Sequence, residues 1–258
     1  MKTVIAQNRA ELGKFVAEQA AEVLRRRLAE QETCNLVIAT GSSQFEVLDS
    51  LVQQPGIEWE RINGFHLDEY LGLERTHSAS FCGYLASRFV DRVPLRSFFY
   101  LDGTLPPEKL KADAAAAIGG KKIDLLLCGI GENGHLAFND PPANFDSTEP
   151  YLIVDLDEAC RKQQVGEGWF DSLDLVPRQA ISMSIHQILQ AEVIFCTVPD
   201  RRKAAAVQST LEQDISPMIP ASALRRHPNT TLILDTSSSS LLSSEVLKEC
   251  QHLDSAAS

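Results

Sequence analysis

The residues of this chain best suited to chemistry fall in four short stretches. Gly129–Pro142 sets one imidazole, His135, behind Gly129, Gly131 and Gly134, with Asn133, Asn139 and Asp140 around it. Glycines let backbone amides approach an anion closely, and a single titratable ring in such a loop suits proton movement on a small polyhydroxylated ligand. Asp68 and Glu69 stand side by side among Phe65, Leu67, Tyr70 and Leu71. Such a pair is either a general base with a supporting acid or a solvated turn. Apolar neighbours would raise one carboxyl towards the range of a useful base. Thr40, Gly41, Ser42 and Ser43 supply hydroxyls and a flexible backbone, which fits a phosphate and equally fits an ordinary strand-to-helix turn. Asp200 is followed by Arg201, Arg202 and Lys203, where a first helical turn usually favours acids; these cations either hold a phosphate or face solvent. His135 has no second histidine at ligand spacing, which weakens a metal reading.

Something must position these groups. The apolar run Ile123–Cys128 opens directly into the glycine loop, as a buried parallel strand does at its carboxyl end. Leu36–Ala39 stands in the same relation to Thr40. Further strands are predicted at Arg61–Leu67, Ser97–Leu101, Tyr151–Leu156, Val193–Val198 and Thr231–Leu234. Helices are predicted from Asn8 to about Ala29, after Phe45, and near His77–Val90, Pro107–Ile118, Arg201–Leu211 and Ala221–Leu224. In the first helix, Leu12, Phe15, Val16, Ala20, Val23, Leu24 and Leu28 form one apolar stripe. Arg25, Arg26 and Arg27 read as its solvated end. This alternation predicts an α/β fold: a Rossmann-like open, mostly parallel sheet with helices on both faces. Such sheets bind ligands at the carboxyl edge. A single domain is expected over residues 1–240, with a loose tail over 241–258 after the serine run that starts at Ser237.

The net charge of −11 opposes nonspecific nucleic-acid binding, which needs a basic face. It leaves room for a small phosphorylated molecule held by a few local cations. The six cysteines form no CxxC pair and read as buried free thiols of a reducing compartment. The start lacks the apolar core of a signal peptide, and no run approaches the roughly 18 apolar residues of a membrane span. A cytoplasmic protein without membrane partners is expected.

The four stretches, in this order, resemble those of the glucosamine-6-phosphate deaminase/isomerase family, relatives of 6-phosphogluconolactonase. Thr40–Ser43 is similar to the family's phosphate loop, and Phe65–Leu73 to its Asp-Glu-Tyr block. Gly129–Asn139 is similar to its glycine-histidine signature, and Lys203 falls at its phosphate-binding lysine. The resemblance implies isomerisation coupled to deamination of an amino-sugar phosphate, glucosamine 6-phosphate or its galacto epimer. Asp68 would carry a proton from C2 to C1, and His135 would open the ring. Asn133 and Asp140 would stand in the catalytic group. Thr40, Gly41, Ser42, Ser43, Glu69, Gly131, Gly134, Arg161 and Lys203 would bind substrate or its phosphate. A monomer or small homo-oligomer is expected.

Three departures from the family pattern stand out. Asn133 replaces an aspartate, removing a possible carboxylate partner of His135. Asp140 replaces a glutamate, a reach shorter by about 1.5 Å. Gly168 replaces the arginine that clasps the phosphate, and Arg161, about two helical turns earlier, is expected to take over. The segment after Pro141 also lacks the basic residues of the family's allosteric site, so no activation by an N-acetylated sugar phosphate is expected. Two other readings compete: lactone hydrolysis on the same fold, and a non-catalytic sugar-phosphate sensor. Lactonases lack the Asp-Glu-Tyr block, and a sensor would normally carry a DNA-binding segment.

Overall fold

Strand β1 (Lys2–Ala6) leads into helix α1 (Arg9–Glu30), whose start is fixed by Asn8: its side chain accepts the Glu11 amide at 3.0 Å. Then follow β2 (Cys34–Ile38), α2 (Phe45–Leu51), β3 (Ile62–His66), β4 (Asp68–Tyr70), α3 (Phe81–Arg88), β5 (Ser97–Phe99) and α4 (Pro107–Ile118). The second half comprises β6 (Leu125–Cys128), β7 (Tyr151–Asp155), α5 (Glu158–Gly166), β8 (Gln179–Met183), α6 (Ile185–Ile188), β9 (Ile194–Val198), α7 (Ala204–Glu212), β10 (Thr230–Asp235), α8 (Ser244–Glu249) and β11 (Gln251–His252). The computed structural model describes residues 1–253; residues 254–258, the last part of the expected tail, lie outside them.

Among the described residues, eight strands form one sheet in the order β11-β1-β10-β9-β6-β2-β3-β5, every neighbouring pair parallel. Period-two alternation divides each inner strand between two cores. Leu36 and Ile38 of β2, Leu125 and Leu127 of β6, and Ile233 of β10 face α1, α2 and α3. Val37, Leu126, Cys128, Leu232 and Leu234 face the layer of α4, α6 and α7. The chain is thus the α/β, Rossmann-like open sheet expected, with helices on both faces.

Four features differ from expectation. Tyr151–Asp155 does form a strand, but it pairs antiparallel with β8, which pairs antiparallel with β4, in a separate three-stranded sheet. Strands β1 and β8 were not predicted: Lys2–Ala6 shows too short an apolar run, and Gln179–Met183 mixes polar and apolar residues. Arg27 is not a solvated end residue, since it reaches Glu192 at 2.6 Å and Asp124 at 3.8 Å. The stretch after Ser237 is not loose as far as it is described. Asp235 and Ser238 exchange backbone-to-side-chain hydrogen bonds, Leu242 is buried, and β11 adds to the sheet edge beside β1.

Candidate active site

The strand order places the chemistry. From β2 the chain moves outward to β3 and β5 on one side, then returns to lay β6 on the other. A crevice opens at the carboxyl ends where the winding reverses. Thr40–Ser43 leaves β2, Asp68 follows β3, the glycine loop leaves β6, and Lys203 follows β9. These segments come from four neighbouring strands and line one cavity. Thr40, Gly41, Ser42, Ser43, Asp68, Gly131, His135 and Lys203 all face it.

Thr40–Ser43 turns along one wall of the cavity. Gly41 adopts a φ of +95°, which favours glycine. Arg9 donates to the Ser42 carbonyl at 2.5 Å, and the Tyr84 hydroxyl to the Gly41 carbonyl at 3.1 Å. Both carbonyls are thereby held by donors beside the cavity. Opposite stands the buried Lys203.

The adjacent carboxyls divide their roles. Glu69 accepts from the Tyr70, Phe81 and Cys82 amides at 2.9, 3.2 and 2.7 Å and from the Ser80 hydroxyl at 3.2 Å. It ties β4 to the start of α3 and does not face the cavity, so the expectation that Glu69 binds substrate is corrected. Alternate residues of a strand point to opposite sides. Asp68 therefore points the other way. Its Oδ1 is buried and meets no donor among the described residues. Desolvation, then the charge of Glu69, push its carboxyl up to about 8.

His135 is positioned by its own loop. The Gly131 amide donates to the His135 carbonyl at 3.0 Å, and any Cβ on Gly131 would lie 2.2 Å from the ring. Gly131 therefore has to lack a side chain for the imidazole to lie where it does. Gly134, at φ +84°, turns the chain back, and its carbonyl accepts from Ala221. His135 Nδ1 lies 3.1 Å from Asp140 Oδ1, close but bent away from a straight hydrogen bond. Asp140 also accepts from Asn133 Nδ2 and the Asp157 amide, both at 3.0 Å. Burial pushes its carboxyl up, but His135 and these donors outweigh that and hold it below the usual range.

Asn133 and Asn139 do not line the cavity. Asn133 bridges Asp140 and Asp157 and accepts the His135 amide, so it positions the pair. Asn139 donates to the carbonyls of Leu136 and Met183, fastening the loop to β8, and the Ser182 hydroxyl accepts the Phe138 amide at 3.0 Å. The shorter Asp140 does reach the imidazole, and His135 keeps a carboxylate neighbour despite Asn133.

Arg161 is a further correction. Its guanidinium donates to the carbonyls of Leu173 and Val176 and does not face the cavity. Its face of α5 looks towards the loop after Gly168. The other face of α5 brings in residues that the sequence reading missed: Gln163, Gln164 and Glu167. Gln164 accepts from the Tyr70 hydroxyl at 2.7 Å, and Gln163 from the Glu132 amide at 2.8 Å. Glu167 meets Lys203 Nζ at 3.2 Å. Spacings of three and four along the helix that the Arg161 expectation already assumed group Gln163, Gln164 and Glu167.

Two clusters among the described residues bring potential metal ligands together: His66, Glu69 and Cys82, and His135, Asp140 and Cys160. In each, amide donors already occupy the carboxylate. Burial also raises the thiol, opposing the ionisation that ligation needs.

Fold and site together define an α/β protein in which a buried carboxyl, an imidazole, a hydroxyl-bearing turn and a lysine share one cavity at a sheet edge. The chain belongs to the family of glucosamine-6-phosphate isomerases and 6-phosphogluconolactonases, whose model it matches over residues 7–233. It is 33% identical to the glucosamine-6-phosphate deaminase of Bacillus pumilus, covering 93% of this chain and all of that one. It is also 33% identical to that of Streptococcus thermophilus, covering 94% and 100%. Among solved structures, a monomeric glucosamine-6-phosphate deaminase superposes with a TM-score of 0.84 at 30% identity, covering 93% of this chain and all of that one. The 6-phosphogluconolactonase of Thermotoga maritima shares the fold, with a TM-score of 0.75 at 18% identity over 91% of this chain and all of that one. This chain is an enzyme of the kind the deaminases represent. No helix among the described residues is long and apolar enough to cross a membrane.

Proposed function

We propose that the chain converts an amino-sugar 6-phosphate, glucosamine 6-phosphate or its galacto epimer, and water into the ketohexose 6-phosphate and ammonia. The observation that carries this reading is Asp68, a buried carboxyl with an unpartnered oxygen, facing the same cavity as His135. His135, oriented by Asp140, moves the proton of the anomeric hydroxyl as the ring opens. The aldehyde at C1 acidifies the C2 hydrogen. Asp68 takes that proton, leaving an enolamine across C1 and C2, and returns it to C1. The imine now at C2 adds water and releases ammonia, leaving the ketone. One carboxylate serves both carbons because they are adjacent and share one face of the open chain.

Thr40, Gly41, Ser42, Ser43 and Lys203 hold the phosphate, whose binding positions the reacting carbons. Gly131 and Gly134 shape the loop around C1. The reaction asks for no metal or cofactor. A lactone hydrolase would use the cradle and His135 but would leave Asp68 without a task. The protein acts as a monomer or small homo-oligomer, in keeping with its monomeric structural relative.

The test is ammonia release from glucosamine 6-phosphate and galactosamine 6-phosphate, with Asp68→Asn alongside. Release from one sugar, abolished by the substitution, is expected and names the epimer. No release from either would overturn the reading in favour of lactone hydrolysis or binding alone.

A further inference from the structure

The cradle contains an anion of its own. Glu167 has a side chain only 6% exposed, and its carboxylate is caged by Lys203 Nζ at 3.2 Å, Gln163 Nε2 at 2.8 Å, Trp169 Nε1 at 3.2 Å and Ser42 Oγ at 3.4 Å. Two of those donors, Ser42 and Lys203, belong to the cradle itself. The other cations nearby are paired: Arg9, which donates to the Ser42 carbonyl, meets Glu46 at 3.1 Å. Glu132 lies 3.9 Å from Lys203, and Arg202 is shared between Glu132 at 3.7 Å and Asp200 at 2.9 Å. Tyr70, on β4, adds no cation. Gly168, at φ +81°, offers no side chain at all.

A phosphate dianion entering here meets a carboxylate that has already taken the lysine. Expelling Glu167 would break four contacts. Keeping it ionised would set like charges side by side in a poorly solvated site, where one of two such acids is strongly driven to hold a proton. We propose that anion capture at this cradle is proton-coupled: Glu167 stays in place, and the bound phosphate shares one proton with its carboxylate. The shared proton replaces repulsion with a short charge-assisted hydrogen bond. Glu167 thereby sets specificity, favouring an end group that carries a proton over a bare dianion. Without a bound anion, burial raises the carboxyl, but Lys203, Trp169 and Gln163 outweigh burial and hold it below the usual range. The inference rests on the phosphate reading of the cradle but not on the reaction at Asp68.

Calorimetric titration of a phosphate monoester, glycerol 1-phosphate, whose dianion carries no proton of its own, into the full chain tests it. Run at about pH 8.5 in two buffers of different ionisation heat, it counts the protons taken up on binding. About one proton is expected for the native protein and none for Glu167→Gln. Native affinity should rise about tenfold per pH unit on going down to about pH 7.5. The variant should bind more tightly than the native protein at the higher pH, with little pH dependence. If native binding at the higher pH is too weak to measure, tighter binding by the variant is the supporting result. Zero native uptake, equal uptake in both proteins, or binding by neither overturns the proposal. The native proton count does not depend on how well the variant folds. Proton-coupled phosphate binding without ammonia release from either amino sugar would sink the proposed reaction and leave this inference standing.

Discussion

Asp140 Oδ1 sits 3.1 Å from His135 Nδ1 and, from the other side, accepts Asn133 Nδ2 at 3.0 Å. The imidazole, the carboxylate and the amide thus stand in a row in which Asn133 holds the carboxylate that neighbours the ring. An aspartate at position 133 would put a second negative charge against Asp140. The asparagine supplies a donor instead, so His135 retains one oriented carboxylate neighbour.

Replacing Asp140 by Asn should therefore lower kcat by about a hundredfold, within the range by which positioned proton transfer accelerates reactions. KM should stay within about threefold, because Asp140 does not touch the cradle. Steady-state ammonia release checks this. A change confined to KM would show that Asp140 acts on binding and not on ring opening.

The Asp68 carboxyl, pushed up to about 8, must be ionised to accept the C2 proton. The ratio kcat/KM should accordingly rise with pH and level off above about 8, since that ratio reports the free enzyme. The profile of kcat should turn over at lower pH, because the substrate's ammonium group beside Asp68 favours its ionised form. A flat kcat/KM between about pH 6 and 9 would rule out Asp68 as the base.

Stability follows the same carboxyl with the opposite sense. Its native pKa is raised from 3.8 to about 8, so between those values the native state keeps a proton that the unfolded chain has lost. Stability from this group is therefore intact below about pH 4 and falls as pH rises towards 8. Asp68→Asn removes the ionisation. It should raise Tm at pH 8 by at least about 3 °C while abolishing ammonia release. Thermal unfolding at about pH 5 and pH 8 should show the gain shrinking at the lower value.

Arg161 holds the carbonyls of Leu173 and Val176 rather than substrate. Arg161→Ala should cost about 1–3 kcal/mol of stability, since both acceptors lose a charged donor. KM for the sugar phosphate should stay within about twofold. Denaturant unfolding and steady-state kinetics separate the two roles; a tenfold rise in KM with unchanged stability would return Arg161 to the phosphate site.

The local patterns of the chain determined a good deal. Short apolar runs such as Leu125–Cys128, opening straight into glycine-rich turns, read as buried parallel strands. The loops at their carboxyl ends carried Thr40, Asp68, His135 and Lys203, which share the cavity. Tertiary structure alone decided how neighbouring residues divide their tasks. Asp68 and Glu69 look alike in sequence, yet strand alternation sends one to the cavity and the other to the amides of α3. Arg161 and Glu167 lie on different faces of the α5 segment, and only the docking of that helix shows which face meets Lys203. The prop beneath the His135 loop was also invisible, because β8 pairs with β4 and β7 across long stretches of chain. Burial, charge pairing and long-range register depend on what the rest of the fold brings near, and no local window of residues contains that information.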